Sequence, residues 1–479
     1  MRRQAALLTL VLSGLMAFAT HAHGQDEGSA PPRLVDLNEA ISLGLTRSPQ
    51  IKAAQHATQK AALVVDQAEW AWTPKLELSS AFAPMPKVGL YDVDEKAYSD
   101  LSEWGFFIRN AFEVSVPIFT FFKISTLQEL AGIGLDVERL REEEQRAKVT
   151  YDVVRAFYGL QFANAAMNVA DEADALLRRV ENEYEKLWAA QSPSVSRTDR
   201  YRIEIAAADM AIATNELRLG RELAKQGLRL HTNLDDNFRI PGMRFRADDV
   251  ELLPLEEVLA LAHGQRIDLQ LLSQAELASE RSAHLEWLKW WPDFALVARL
   301  NYAYSNAVPE IEEKTIYVSD PYNAFSFAVV LAMRWKIDPV NQVFKVAEAD
   351  ADLARTRAQI ELARRGVALE VEKLYGEAQN AQQRVQLVYA SRRAAKRFMT
   401  QELVDYEVGG GKVDDVISAV RRYIELRLHY LSALQDFRLA VARLRLATGA
   451  QSPDQLLTTG TLEDYLSDAA RADDSPEDE

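Results

Sequence analysis

The chain has 479 residues, enough for a large buried core and for more than one average domain. It carries 71 acids against 55 bases, a formal charge of −16, which argues against nucleic acid as the main partner. It has no cysteine, so disulfides, thiol catalysis and cysteine-ligated metal sites are excluded.

Arg2 and Arg3 precede an apolar stretch from Ala5 to Ala19, followed by small residues and the polar run Gln25, Asp26, Glu27. This order predicts a secretory signal peptide over 1–24, with Ala22 and Gly24 as a −3/−1 pair, and a short linker over 25–36. Beyond it, no apolar run reaches the ~18 residues that a membrane-spanning helix needs.

The rest of the chain is written twice. Leu37, Glu39, Ala40 and Ile41, then Trp72, Pro74, Leu76 and Leu78, recur as Leu255, Glu257, Val258 and Leu259, then Trp290, Pro292, Phe294 and Leu296. Tyr158-Gly159 recurs as Tyr375-Gly376, and Arg229-Leu230 as Arg445-Leu446, with almost no drift in register. The pattern predicts two repeats, 37–236 and 255–450, joined by a linker over 237–254.

Each repeat opens with a helical stretch (about 38–70 and 255–289) that a proline ends. Period-2 alternation follows. Leu76, Leu78 and Phe82 share a face, as do Phe112, Val114 and Val116 after a polar loop over about 84–104. The second repeat does the same with Phe294, Leu296, Leu300 and Tyr302, and with Phe325, Phe327, Val329 and Leu331 after a loop over about 306–322. Runs of ~10 alternating residues have the length of tilted strands that cross a bilayer. Proline-free helical runs then cover about 126–188 and 340–408, and the chain returns over about 196–231 and 414–447. In the last run Ile417, Val420, Ile424, Leu428, Leu431 and Leu434 step by threes and fours, an apolar seam for packing on other helices. Residues 451–479 hold nine acids and one base and read as a disordered tail. The expected fold class is mainly α with a small β part: long coiled-coil hairpins plus four transmembrane strands per chain, in tandem repeats.

Seven of the eight tryptophans, Trp70, Trp72, Trp104, Trp287, Trp290, Trp291 and Trp335, fall at or near ends of the four expected strands. Such rings suit the headgroup level of a membrane barrel; the plainer alternative is ordinary core at helix–strand junctions. Four strands cannot close around a wide channel, so a barrel needs several chains.

The signal peptide, the repeat, the strand pairs and the long helices together resemble the TolC family of outer membrane efflux proteins. The residues that carry the resemblance are Leu37–Ile41 with Ser48-Pro49, Trp72-x-Pro74, Trp291-Pro292, Val116–Phe119, Tyr406–Gly409 with Asp414, and Leu446–Gly449. The resemblance implies a homotrimer, with a twelve-stranded barrel in outer-membrane lipid and an α-helical barrel crossing the periplasm. It implies a passive export conduit, working in efflux or type I secretion with a periplasmic adaptor and an inner-membrane pump. The sequence departs from the family at Thr120–Lys123 and Ile337–Val340, where glycine-rich turns are usual, and at Ser192-Pro193-Ser194, where a glycine is usual. A periplasmic coiled-coil adaptor or scaffold with a small soluble sheet is the alternative reading.

Candidate working residues follow from these placements. Asp405, Glu407, Asp414 and Asp415 surround Gly409, Gly410 and Gly411; they form carboxylate rings at a pore mouth, or else Asp414 or Asp415 caps the return helix. By resemblance, Trp188, Ser192, Ser196 and the three glycines are adaptor-docking candidates. Glu77, Arg109, Glu113, Arg299 and Arg334 fall on the polar strand face, which in a barrel lines the lumen. Acids in the strand-connecting loops (Asp92, Asp94, Glu95, Asp100, Glu310, Glu312, Glu313) are expected outside. No catalytic or phosphate-binding motif is present, no enzyme activity is assigned, and no cofactor or metal is expected.

Overall fold

The computed structural model describes residues 32–90, 97–243, 252–308, 320 and 322–449. The expected signal peptide, most of the first linker, the centre of the second, the tail after 449 and the loop acids Asp92, Asp94, Glu95, Glu310, Glu312 and Glu313 lie outside the described residues.

The first described element is a short strand, β1 (Arg33–Leu34), which pairs in parallel with β4 (Phe238–Arg239) and so ties the first linker to the second. Each expected opening helix is in fact two. α1 (Leu37–Arg47) is capped by Asp36, whose carboxylate accepts from Glu39 N at 2.7 Å, and it stops where Ser48 adopts an extended conformation ahead of Pro49. Ser48 then caps α2 (Pro49–Glu69), with the proline at the first helical position, where its missing N–H costs nothing. In the second half α5 (Leu255–Gln265) and α6 (Ile267–Leu288) break at Arg266. This arginine holds the bend by pairing with Asp268 (2.8 Å) and Glu370 (2.6 Å) and donating to the Ala447 carbonyl (3.2 Å).

Four antiparallel strands form one open sheet in the order β2-β3-β5-β6: β2 (Lys75–Leu90), β3 (Ala97–Phe119), β5 (Asp293–Ser305) and β6 (Ala324–Arg334). The loop expected over 84–104 is mostly strand. β2 and β3 continue pairing past the last β5 residue, Ser305, and Asp100 lies within β3 opposite Lys87. Polarity misled here, because ladder pairing needs only backbone groups, which polar side chains do not prevent from pairing.

Below the sheet run two helical hairpins. α3 (Lys123–Ala189) pairs with α4 (Arg197–Thr232), and α7 (Pro339–Glu407) with α8 (Val413–Thr448). At 1.5 Å per residue α3 and α7 are each about 100 Å long. α3 also packs on α8, which joins the two halves. Three apolar clusters lie along this body: one around Val153, Phe157 and Leu228, one around Val371, Phe437 and Leu444, and one near the hairpin tips around Val180, Leu403 and Val416. The expected seam of α8 supplies buried Val420, Ile424 and Leu434 to these clusters. Between the first two sits Arg438, 6% exposed, its guanidinium 5.1 Å from the Tyr158 ring and 2.9 Å from Gln161 Oε1. Among the described residues no helix is long and apolar enough to cross a membrane.

Candidate functional site

The register sorts the sheet's side chains onto two faces, because directly opposed residues of an antiparallel ladder point the same way. One row runs Glu77, Glu113, Arg299, Ala328 across the four strands. Arg109 lies between Ala81 and Ala303, an even number of residues along the same strands, and Arg334 opposes Asp293. Glu77, Arg109, Glu113, Arg299 and Arg334 therefore share one face. There Arg299 Nε donates to Glu113 Oε2 at 2.8 Å, beside the carboxylate of Glu77.

The opposite face is largely apolar and bare. Leu76, Leu78, Phe82, Phe325, Phe327 and Leu331 are between 63% and 72% exposed. Ser80 and Asn110 lie on this face too, the Ser80 hydroxyl donating to Asn110 Oδ1 at 2.8 Å, but a sheet face so largely apolar and exposed is rare on a protein surrounded only by water.

Aromatic rings border that face at both ends. At the helix end Phe121 stacks on Trp291 (5.1 Å) and meets Phe119 (4.6 Å), and Trp287 lies 6.4 Å from Trp291. Trp335 Nε1 donates to the Trp290 carbonyl at 3.1 Å, while Trp70 and Trp72 stand on a short 3-10 turn just before β2. Trp104 departs from this set: it lies inside β3, opposite Pro86, because the strand runs on through the expected loop. It sits instead just past a second aromatic row, Phe82, Phe106 and Tyr304, with ring centroids 6.1 and 5.9 Å apart. From Phe294 to Tyr304 is about 34 Å of strand. At the usual barrel tilt this is close to the ~25 Å apolar band of an outer-membrane barrel.

The two helical tips are closed differently. After α3, Trp188 stacks on Tyr184 (6.0 Å) and the Ser192 and Ser194 hydroxyls meet at 2.7 Å. Ser196 starts α4, and Asp199 Oδ2 accepts from Ser196 N (2.8 Å) and Ser196 Oγ (2.7 Å). After α7, Gly410 N and Gly411 N both donate to the Asp405 carbonyl at 2.9 Å, and Gly409 adopts φ +81°. A Cβ on Gly411 would stand 2.9 Å from Tyr406 N, closer than any side chain tolerates. Neither Asp414 nor Asp415 caps α8. The cap is Lys412, without a side-chain bond, and the two aspartates lie within the first turn, where the helix dipole favours them.

The tip carboxylates are not a free cluster. Glu407 pairs with Arg179 of α3 (2.6 Å), Asp414 with Arg202 of α4 (3.8 Å), and Asp405 accepts from Gln401 Nε2 (3.0 Å). Asp415 is exposed and makes no ion pair among the described residues. Beneath them Tyr406 is fully buried, its hydroxyl without a partner among the described residues, and burial pushes its phenol up to about 12. Ser196-x-x-Asp199 is a capping signature that the sequence does display. The Arg179–Glu407 pair spans 228 residues and leaves no local signal.

No protein-family model matches the sequence, and no curated protein sequence matches it. Solved structures do resemble it. The CmeC outer membrane channel of Campylobacter jejuni is 13% identical with a TM-score of 0.68, covering 91% of this chain and 89% of that one. The outer membrane protein VceC of Vibrio cholerae is 15% identical with a TM-score of 0.67, covering 86% and 96%. The open state of the MtrE outer membrane channel of Neisseria gonorrhoeae is 16% identical with a TM-score of 0.67, covering 86% and 88%. The chain has the fold of these outer membrane channels.

Proposed function

We propose that this chain is the outer-membrane channel subunit of a tripartite export system, a passive conduit of the TolC type. The observation that carries the reading is the bare apolar sheet face, bordered at both ends by aromatic rings about one hydrocarbon thickness apart. A soluble scaffold has no use for such a face, and a membrane barrel requires it.

The sheet has two free edges, β2 and β6, and open edges do not persist in lipid. The helical flanks are unpartnered in the same way. Tyr201, Ile205, Ile212, Leu219 and Leu223 form an exposed stripe on α4 at steps of four and seven, and Leu362, Leu369, Leu387 and Phe398 form another on α7. Identical copies joined β6 to β2 and α7 to α4 would cover both flanks by a closed ring, and three copies supply twelve strands. In that ring Glu77, Arg109, Glu113, Arg299 and Arg334 line the lumen. The tryptophans at the helix end lie at the inner headgroup level and Trp104 beyond the outer one. The helices, about 100 Å long, extend into the periplasm. There the tips that bear Trp188, Ser192, Ser196 and Gly409–Gly411 meet the adaptor of an inner-membrane pump. Asp405, Glu407, Asp414 and Asp415 ring the mouth, three of them held by partners in the same chain. The two halves, 37–236 and 255–450, are repeats, and 1–24 is the export signal.

The reading is tested by fractionation and native mass measurement of the detergent-extracted protein, with a pair of arginine substitutions. Val114 lies on the apolar face and Ser115 on the polar one. Val114→Arg should abolish the trimer, since an arginine at mid-bilayer costs about 2–4 kcal/mol, while Ser115→Arg should assemble normally. A monomer released by salt or carbonate would favour the scaffold, and equal trimer yields from the two variants would overturn the assignment of faces.

A further inference from the structure

Between Glu377 and Glu402, α7 runs for 24 residues without a carboxylate and carries five cations, Arg384, Arg392, Arg393, Lys396 and Arg397, in a chain of formal charge −16. Three of the five meet a partner within the chain, Arg393 only through the Tyr389 ring at 6.0 Å. Arg384 pairs with Asp436 at 3.5 Å, and Arg392 lies over the rings of Tyr389 and Tyr430 at 5.1 and 4.7 Å. Arg393, Lys396 and Arg397 are exposed and make no ion pair among the described residues. At 3.6 residues per turn they fall within an arc of about 100° on one face of the helix. Acids on neighbouring elements are already taken: Glu425 by Arg422 at 2.8 Å, and Glu172 by Arg427. Three like charges on one face repel each other, and an anionic partner would relieve that.

The same chain contains such a partner. Residues 451–479 hold nine acids against one base, and Asp473, Asp474, Glu477, Asp478 and Glu479 place five carboxylates within seven residues. The reach is sufficient. α8 runs antiparallel to α7, with Asp436 beside Arg384, so its end at Thr448 lies level with about residue 372 of α7. The three cations are then about 31–38 Å further along α7. The 24 residues from 450 to 473 allow a maximum reach of about 80 Å, more than twice that distance.

We propose that the acidic segment 463–479 of this chain occupies the Arg393–Lys396–Arg397 face of α7, held there by exposed, salt-sensitive ion pairs. This surface is independent of the membrane reading and lies about 15 Å or more from the α7 tip, so it can shield or release that flank as ionic conditions change.

The absence of native cysteine makes the test direct. In the full-length, detergent-solubilised protein, Thr400→Cys (exposed, on the same helix face) is combined with Ser475→Cys and treated with a short bismaleimide. The control combines Ser475→Cys with Ala347→Cys, exposed and about as far from residue 372 in the other direction, near Glu348 and Asp350. The expected result is a bridged product of single-chain mass, about fivefold more abundant from the Thr400 pair than from the control at low salt. It should fall to the control level at about 0.5 M salt, and equally in the Arg393→Gln/Lys396→Gln/Arg397→Gln variant, whose exposed positions do not endanger folding. Equal bridging at both positions, bridging indifferent to salt and to the triple substitution, or bridging only between chains would each overturn the proposal.

Discussion

The first half of the chain enters its long helix through Phe121 and Phe122, both in the left-handed region at φ 48° and 65°. The second half enters through Asp338, whose carboxylate accepts from Asn341 N at 3.3 Å, and Pro339 at the first helical position. At the far ends the first half turns on Ser196 and Asp199, the second on glycines. One element order is thus served by four unrelated corner chemistries. Corners need only satisfy a few backbone groups, and several residue sets can do so. The strand pairs and the seams between helices depend on dozens of residues in phase, and there the halves agree. The left-handed phenylalanines carry a cost of about 1–3 kcal/mol that glycine would avoid, offset by the stacking of Phe121 on Trp291.

Substitutions at these corners sharpen the comparison. The largest effect is expected at the second tip. Gly411→Ala should cost about 2–3 kcal/mol, because the new methyl group meets backbone atoms of Asp405 and Tyr406 that cannot yield. Ser194→Ala at the first tip should cost under about 0.5 kcal/mol, measured by thermal unfolding in detergent. Equal losses would mean that the two tips do not differ as described. Next comes Asp199→Ala, at about 1–2 kcal/mol, against a near-neutral Asp415→Ala, since only the former carboxylate accepts bonds from the start of its helix. At the upper corners Phe122→Gly should stabilise by about 1 kcal/mol through relief of its left-handed backbone, whereas Pro339→Gly should destabilise by a similar amount. The same sign for both would show that the two corners are not opposite solutions.

The smallest effect concerns Tyr406. Its buried hydroxyl lacks a partner among the described residues, so Tyr406→Phe should be neutral or stabilising by up to about 1 kcal/mol. The pH dependence separates this from simple packing. Burial, aided by the negative charges of Asp199 and Glu183, holds the phenol at about 12, while the unfolded chain releases that proton near pH 10. The folded state therefore binds more protons in this window. The contribution is complete below pH 10 and is lost as pH rises toward 12. Alkaline melting curves should show this component in the native protein and not in Tyr406→Phe.

Much of the fold is legible in the residues alone, for a physical reason. Strand alternation and the three-and-four spacing of helices are local periodicities, and the long helices ended within a few residues of where those periods stop. The two-face partition of Glu77, Arg109, Glu113, Arg299 and Arg334 is visible for the same cause, because strand period and ladder parity are one rule. Polarity was a poorer guide. It marked 84–104 as a loop and placed Trp104 at a strand end, since a ladder is held by backbone groups that composition does not report. It also offered Asp414 and Asp415 as caps, although the residue with the right backbone angles is Lys412.

The residues by themselves determined the order of the main elements, the extent of the long helices and the side of each strand that is apolar, because these depend on neighbours a few positions apart. Tertiary structure alone decided which distant groups meet. Arg179 finds Glu407 across 228 residues, Arg438 is drawn between Tyr158 and Gln161, and β1 pairs with β4 to fasten the two linkers. These encounters depend on how helices about 100 Å long are phased against one another, and a small change of phase at one end redirects every contact at the other.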